Sequence, residues 1–568
     1  MTRSRAGIAA ICLLGLCWAA VMVPPGANQT AHLATVHALA RGSANIDRER
    51  RWTGDTAYVG SHFFAAKAPG LAIATAPYFL ALDEIGLVPP LPSPSVPFPE
   101  AQERMSSTAL WEVALFGAML PGLVLLVLVR RVADRMVPGY GSAAAVAVGG
   151  ASILGIIATM FFDHALSACL AFAAFTVLFG RPTLRRSVAA GLLAGLAVSV
   201  ELPLAIAAVV LGAYALASER RLQRLGAYTG GFVAGLAPLV AFDTWAFGSP
   251  FTLAYSNAVS VPGITGHDVL GQNSAGFFGI GLPDPQGMMQ LLFSSYGLLV
   301  LAPIWGLAAV GIALLWRSGW RAEARVVVAI ALLFFIYNAG YTQLFGAMTA
   351  GPRFLAPTIP FLAVPLAAAW RRLPVTAWSL CIVSAVVTWT IIAANPMGPA
   401  EDPGTFFRRL ERGANTPVAL SSTVFHWLRG GHPLLDLVIV LACVAVTFLL
   451  AGWATPIRIT PNDAMLALCA VVAWRIVYTA GSTLSKVDNA NGGAAGAGAM
   501  ALVALGLAWG LYGAARSRLR TAIPAVGLLP LLWTQLDGSP RAVAALAVTV
   551  LIASALSAAK PARLLRTK

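Results

Sequence analysis

From residue 106 to residue 129 the chain reads SSTALWEVALFGAMLPGLVLLVLV, with Glu112 as its one charge. A helix crossing a bilayer needs about 20 mostly apolar residues. Comparable runs cover 6–24, 140–161, 163–180, 187–200, 202–218, 225–246, 288–315, 326–343, 354–370, 375–394, 433–452, 463–482, 498–514, 521–536 and 541–558. Some are short or closely paired, so the expectation is about 13 to 16 spans. Charged residues make up 11% of the chain, against about 25% in soluble domains. The expected fold is an all-α polytopic membrane protein.

The net charge of +15 could suggest a nucleic-acid partner. The positions of the charges argue against one. Arg130, Arg131 and Arg135 sit between two apolar runs, as do Arg220, Arg221 and Arg224, Arg371 and Arg372, and Arg516, Arg518 and Arg520. Such clusters mark cytoplasmic loops. With the N-terminus inside, basic clusters fall at almost every alternate loop and the C-terminus is also inside. The N-terminal apolar run ends in VMVPPGANQ without a small-x-small cleavage site, which reads as an uncleaved first helix. The six cysteines all fall in apolar runs and show no metal-binding spacing.

This orientation gives outer loops at 25–105, 247–287, 344–353, 395–432 and 483–497. Residues 1–394 form one expected module, 395–432 an outer loop, and 433–568 a plainer C-terminal bundle. PPLPSPSVPFPE, Pro89 to Glu100, reads as an extended strap. Within the first loop, Leu33, Val36, Leu39 and Ala40 share one helical face, which predicts an amphipathic interfacial helix over 30–41. A second interfacial helix is expected over 68–82.

Polar residues gather in the same loops. Asp47, Asp55, His62 and Lys67 follow the first interfacial helix. A carboxylate there can serve as general base for a sugar hydroxyl, and a lysine can hold a lipid phosphate. The alternative is solvated loop charge. Asp163 and His164 stand where one apolar run gives way to the next. They could hold a divalent cation, or Asp163 could cap a helix. Glu201 interrupts two apolar runs, and charge at such depth points to function. Arg353 follows a Gly351–Pro352 turn and could grip phosphate or anchor at headgroups. Tyr255 and Tyr296, like Trp245, are belt aromatics or sugar-stacking residues. His267, Asp268 and Asp284 read as exposed loop residues.

Five motifs occur in order: GSHFFAAKAPG, FDHALSACLAFAAF, VSVELPLA, AFGSPFTLAYSN and GPRFLAPTIPFL. Together with the single helix and long outer loop before them, they resemble the GT-C superfamily of integral-membrane glycosyltransferases, which use polyprenyl-phosphate-linked sugars. The pattern is similar to a branch found in actinobacterial genomes and, more distantly, to the lipid A aminoarabinose transferases and protein mannosyltransferases. The resemblance covers about residues 1–370. It implies a GT-C-like helical bundle in a bacterial plasma membrane, a polyprenyl-phosphate donor, and a glycan, lipid or protein acceptor. It implies inverting transfer in one step, with Asp47, or else Asp55, as base. It places Lys67 at the lipid phosphate, with His62 and Arg353 assisting, and matches Asp163 to an aspartate at the start of a later helix. Ala66 departs from the pattern, since an acidic or amide residue often stands before that lysine.

Two other functions fit the composition. A lipid-linked sugar transporter or flippase would need polar residues through the bilayer midplane. A membrane scaffold that binds such a lipid without transfer would need only the loops.

Overall fold

The computed structural model describes residues 1–180, 183–216, 221–258, 280–294, 296–341, 343–346, 351–397, 405–413, 433–464 and parts of 466–478. Six of its helices are long and apolar enough to cross a membrane: Ser107–Met136, Arg221–Phe247, Arg321–Ala339, Arg353–Arg372, Pro374–Ala393 and Leu435–Ala454. A pair bent by 107°, Gly287–Leu301 and Pro303–Arg317, would make a seventh. Helices α1 (Arg3–Ala19) and Leu184–Val200 occupy two more of the expected runs. The run at 140–161 is divided into Gly141–Gly150 and Ile153–Ala158. The protein is a multi-pass helical membrane protein. The runs at 498–514, 521–536 and 541–558 lie outside the described residues, as do half of 463–482, the loop at 483–497, and His267 and Asp268. Pro433–Ala454, which opens the expected C-terminal bundle, packs along α1.

The first loop holds the predicted helices and one element that periodicity did not predict. Helix α2 (Ala27–Ala40) covers the expected position. Its burial extends beyond the apolar face, because His32 and Thr35 are covered as well as Leu33 and Val36. A hairpin follows, with β1 (Thr56–Val59) antiparallel to β2 (His62–Ala65) and Val59 opposite His62. Gly60 and Ser61 both take positive φ at the turn, the geometry that matches strand twist in two-residue hairpins. The segment before β1 adds to its partner strand, where the Ile46 N–H donates to the Phe63 carbonyl at 2.8 Å.

After the hairpin, α3 (Gly70–Glu84) packs along α2. Its first residue sits against the end of Leu184–Val200. A Cβ on Gly70 would stand 2.4 Å from the Ser199 carbonyl oxygen, so only glycine allows this approach. Leu184–Val200 is pinned in turn on Arg221–Gly235. Gly191 and Gly195 face Gly231 and Gly235 so closely that added Cβ atoms would meet backbone carbonyls at 1.9 to 2.3 Å. Small residues four apart on both helices allow this backbone contact within a bilayer.

Three chain breaks then carry the polar residues. Asp163 precedes His164–Leu178, Glu201 ends Leu184–Val200 in an extended conformation before Pro203, and Gly351 at φ +92° turns the chain into Arg353–Thr358.

Candidate active site

Asp55 and Lys67 lie on opposite sides of the hairpin, at the ends away from the turn. The Ala66 N–H donates to the Asp55 carbonyl at 2.9 Å, which extends the strand pairing by one step. That register brings Lys67 Nζ to 2.9 Å from Asp55 Oδ2, with the side chains only 7% and 17% exposed. A hydrogen bond from the Asp55 N–H to Thr53 Oγ1, at 3.0 Å, fixes the carboxylate's own backbone.

Behind this pair is a buried group. His164 Nδ1 lies 3.0 Å from Glu201 Oε1 and 3.6 Å from Asp163 Oδ1. The Ser167 hydroxyl donates to the other oxygen of Glu201. Asp163 occupies the N-cap position of its helix, yet its side chain makes no capping hydrogen bond; it turns toward histidines instead. On its far side, His32 Nε2 from α2 lies 3.8 Å from Asp163 Oδ2. Burial pushes the His32 imidazole down to about 4, so it is neutral at neutral pH.

Arg353 closes this group from the helix that it begins. Its guanidinium lies 5.5 Å from the Phe162 ring centre and 5.1 Å from that of Phe354. Among the described residues, its buried Nε has no hydrogen-bond partner. Phe354 in turn meets the His164 ring edge-on at 6.0 Å and Tyr341 at 5.1 Å. Tyr255 lies within electrostatic reach of Asp163 and Glu201, Tyr337 of Glu201 and Arg353, and Tyr341 of Arg353 and Asp55. Aromatic rings beside carboxylates and a guanidinium suit a ligand that is part sugar, part phosphate.

Seven of the ten candidate site residues thus meet in one place: Asp55, Lys67, Asp163, His164, Glu201, Tyr255 and Arg353. Asp47 and His62 pair with each other on the hairpin's outer side. His62 Nδ1 is 2.6 Å from Asp47 Oδ2, with side chains 53% and 36% exposed. The Phe63 N–H donates to Asp47 Oδ1 at 2.7 Å. Both Asp47 oxygens therefore brace strand β2. Tyr296 packs against Phe345 at 5.7 Å. His32, Tyr337 and Tyr341 join this site without a sequence signal that marks them. Histidine within a helical run and tyrosine at the end of an apolar one give no local signal of a shared site.

No protein-family model matches the chain, and no curated protein matches it. Among solved structures it is similar to ArnT from Cupriavidus metallidurans bound to undecaprenyl phosphate, at 14% identity and a TM-score of 0.44 over 82% of this chain and 79% of that one. The apo form of the same protein gives 16% identity and a TM-score of 0.43, over 83% of this chain and 79% of that one. The Archaeoglobus fulgidus oligosaccharyltransferase gives 12% identity and a TM-score of 0.38, over 82% of this chain and 57% of that one.

Proposed function

We propose that the protein is a membrane glycosyltransferase that moves a sugar from a polyprenyl-phosphate donor to a cell-envelope acceptor on the outer face of a bacterial plasma membrane. The observation that carries this reading is the Asp55–Lys67 pair, a carboxylate and an ammonium 2.9 Å apart beside Arg353 and its aromatic rings. Lys67 and Arg353 hold the donor phosphate, Lys67 as a point charge and Arg353 through paired N–H groups. Asp55, released when Lys67 turns to the phosphate, accepts the proton of the acceptor hydroxyl. The hydroxyl oxygen attacks the anomeric carbon, the bond from that carbon to the phosphate oxygen breaks, and polyprenyl phosphate leaves as the anion. Displacement in one step inverts the anomeric carbon. The leaving group is already a stable anion, so positioning and charge stabilisation carry most of the catalysis.

Asp55 takes the base role ahead of Asp47 because Asp47 has both oxygens engaged at the hairpin rim. His62 braces Asp47 and is not assigned to phosphate.

The test uses the full chain in proteoliposomes, a panel of polyprenyl-phosphate sugars and a cell-envelope extract as acceptor. Release of polyprenyl phosphate, together with an inverted product, is expected from the wild type and lost in Asp55→Asn. Turnover by Asp55→Asn at the wild-type rate would overturn the assignment. Movement of intact lipid-linked sugar between leaflets without release would support transport instead.

A further inference from the structure

We propose that the outer rim of the hairpin is a binding subsite for an acidic glycan, read by Tyr58, Arg48 and Arg50. It names a class of acceptor for the transfer reading and so rests on that reading.

Tyr58 and Phe63 stand opposite each other in the β1–β2 ladder. Their rings meet at 4.9 Å between centres, tilted by 52°. The Arg50 guanidinium lies 5.3 Å from the Phe63 ring centre. Tyr58 is 45% exposed, although its strand is held on both edges, by β2 on one and by the Ala57–Ala258 bridge on the other. A large ring is thus kept in the open by a fixed backbone, not carried on a loose loop tip. The face of such a ring can take the C–H face of a sugar while its hydroxyl stays wet.

Charge selects the sugar. The run IDRERRW, from Ile46 to Trp52, carries two acids and three arginines. Both acids are engaged. Asp47 is held by His62 and the Phe63 N–H, and the covered Glu49 by His37 and Arg41. Arg51 donates to the Ser95 carbonyl at 3.0 Å. Arg48, which is exposed, and Arg50 have no carboxylate partner among the described residues. Two guanidiniums beside an open tyrosine complement a glycan that bears carboxylates, which they meet through paired N–H groups. A phospholipid headgroup would answer the arginines but leave the ring pair unused.

Tyr58 lies three residues along the strand from Asp55, roughly 10 Å at about 3.3 Å per residue. A glycan seated on the rim therefore keeps the base within reach of a short chain.

The full chain in phosphatidylcholine nanodiscs, without donor lipid, is titrated into fluorescently labelled hexagalacturonate and followed by anisotropy. Saturable binding is expected, with no competition from equimolar maltohexaose, a neutral glycan of the same length. Tyr58→Ala and Arg50→Gln are each expected to weaken binding about tenfold, with the melting temperature kept. Absence of binding by the wild type, or wild-type affinity in either folded variant, would overturn the subsite. Equal competition by maltohexaose would overturn the acidic class. Equal competition by glycerol phosphate would assign the arginines to lipid headgroups and overturn the glycan. The readout needs neither donor nor turnover, so a failed subsite leaves the transfer test standing, and failed transfer leaves glycan binding still to be read.

Discussion

Gly70 and Ser199 touch backbone to backbone: a Cβ on Gly70 would stand 2.4 Å from the Ser199 carbonyl oxygen. Lys67 stands three residues before the first and Glu201 two residues after the second. This contact sets the distance between the hairpin pair and the buried carboxylates. Gly70→Ala is expected to cost about 1–3 kcal/mol as an overpacked contact. It is also expected to lower transfer more than it lowers expression. Thermal denaturation and turnover measured on one preparation check both parts.

The Asp55–Lys67 pair is buried enough that either partner alone is poorly tolerated. Lys67→Met strands a nearly covered carboxylate, and a loss of about 3 kcal/mol is expected. The double variant Asp55→Asn/Lys67→Met is expected to regain part of that loss, because neither charge is then left alone. A double-mutant cycle on stability measures the coupling, and additive losses would show that the pair is not energetically coupled.

Asp55→Asn is expected to reduce kcat by about 10² or more, the usual contribution of a general base. Asp47→Asn removes only a brace at the hairpin rim. It is expected to leave kcat within about threefold and to loosen the hairpin. Steady-state kinetics of the two variants, with hydrogen exchange over 56–65, separates the roles.

Arg353→Lys keeps the charge but loses the planar fork and the stacking on Phe162 and Phe354. The donor KM is expected to rise about tenfold, with a smaller change in kcat. An unchanged KM would remove Arg353 from the phosphate.

Much of this was legible before the structure. Among the described residues, apolar runs of membrane length became helices because the bilayer leaves the backbone few other ways to satisfy its hydrogen bonds. Asp163, Glu201 and Arg353 stood out because charge at the end of an apolar run needs a partner. The hairpin was harder to see. TAYVGSHFFA carries its aromatic residues and its Gly-Ser turn, but the strands are four residues each, too short for alternation to show. His32 was hidden for the opposite reason. It sits in a well-formed helix whose apolar face drew the reading, and burial on a second face depends on elements far along the chain. Choosing between Asp47 and Asp55 required the hairpin register, which shows which carboxylate faces Lys67.

The closed pair of Asp55 and Lys67 also has a consequence for selectivity. A lysine that already holds a carboxylate rejects most passing anions, because each must displace a ligand tethered at high effective concentration. A phosphate that reaches Arg353 at the same time, and is held in the bilayer by its own hydrocarbon chain, meets that competition on equal terms. If Lys67 and Arg353 hold the donor phosphate as proposed, a resting site that neutralises itself would work as a filter, open to membrane-borne phosphates and closed to the soluble anions around it.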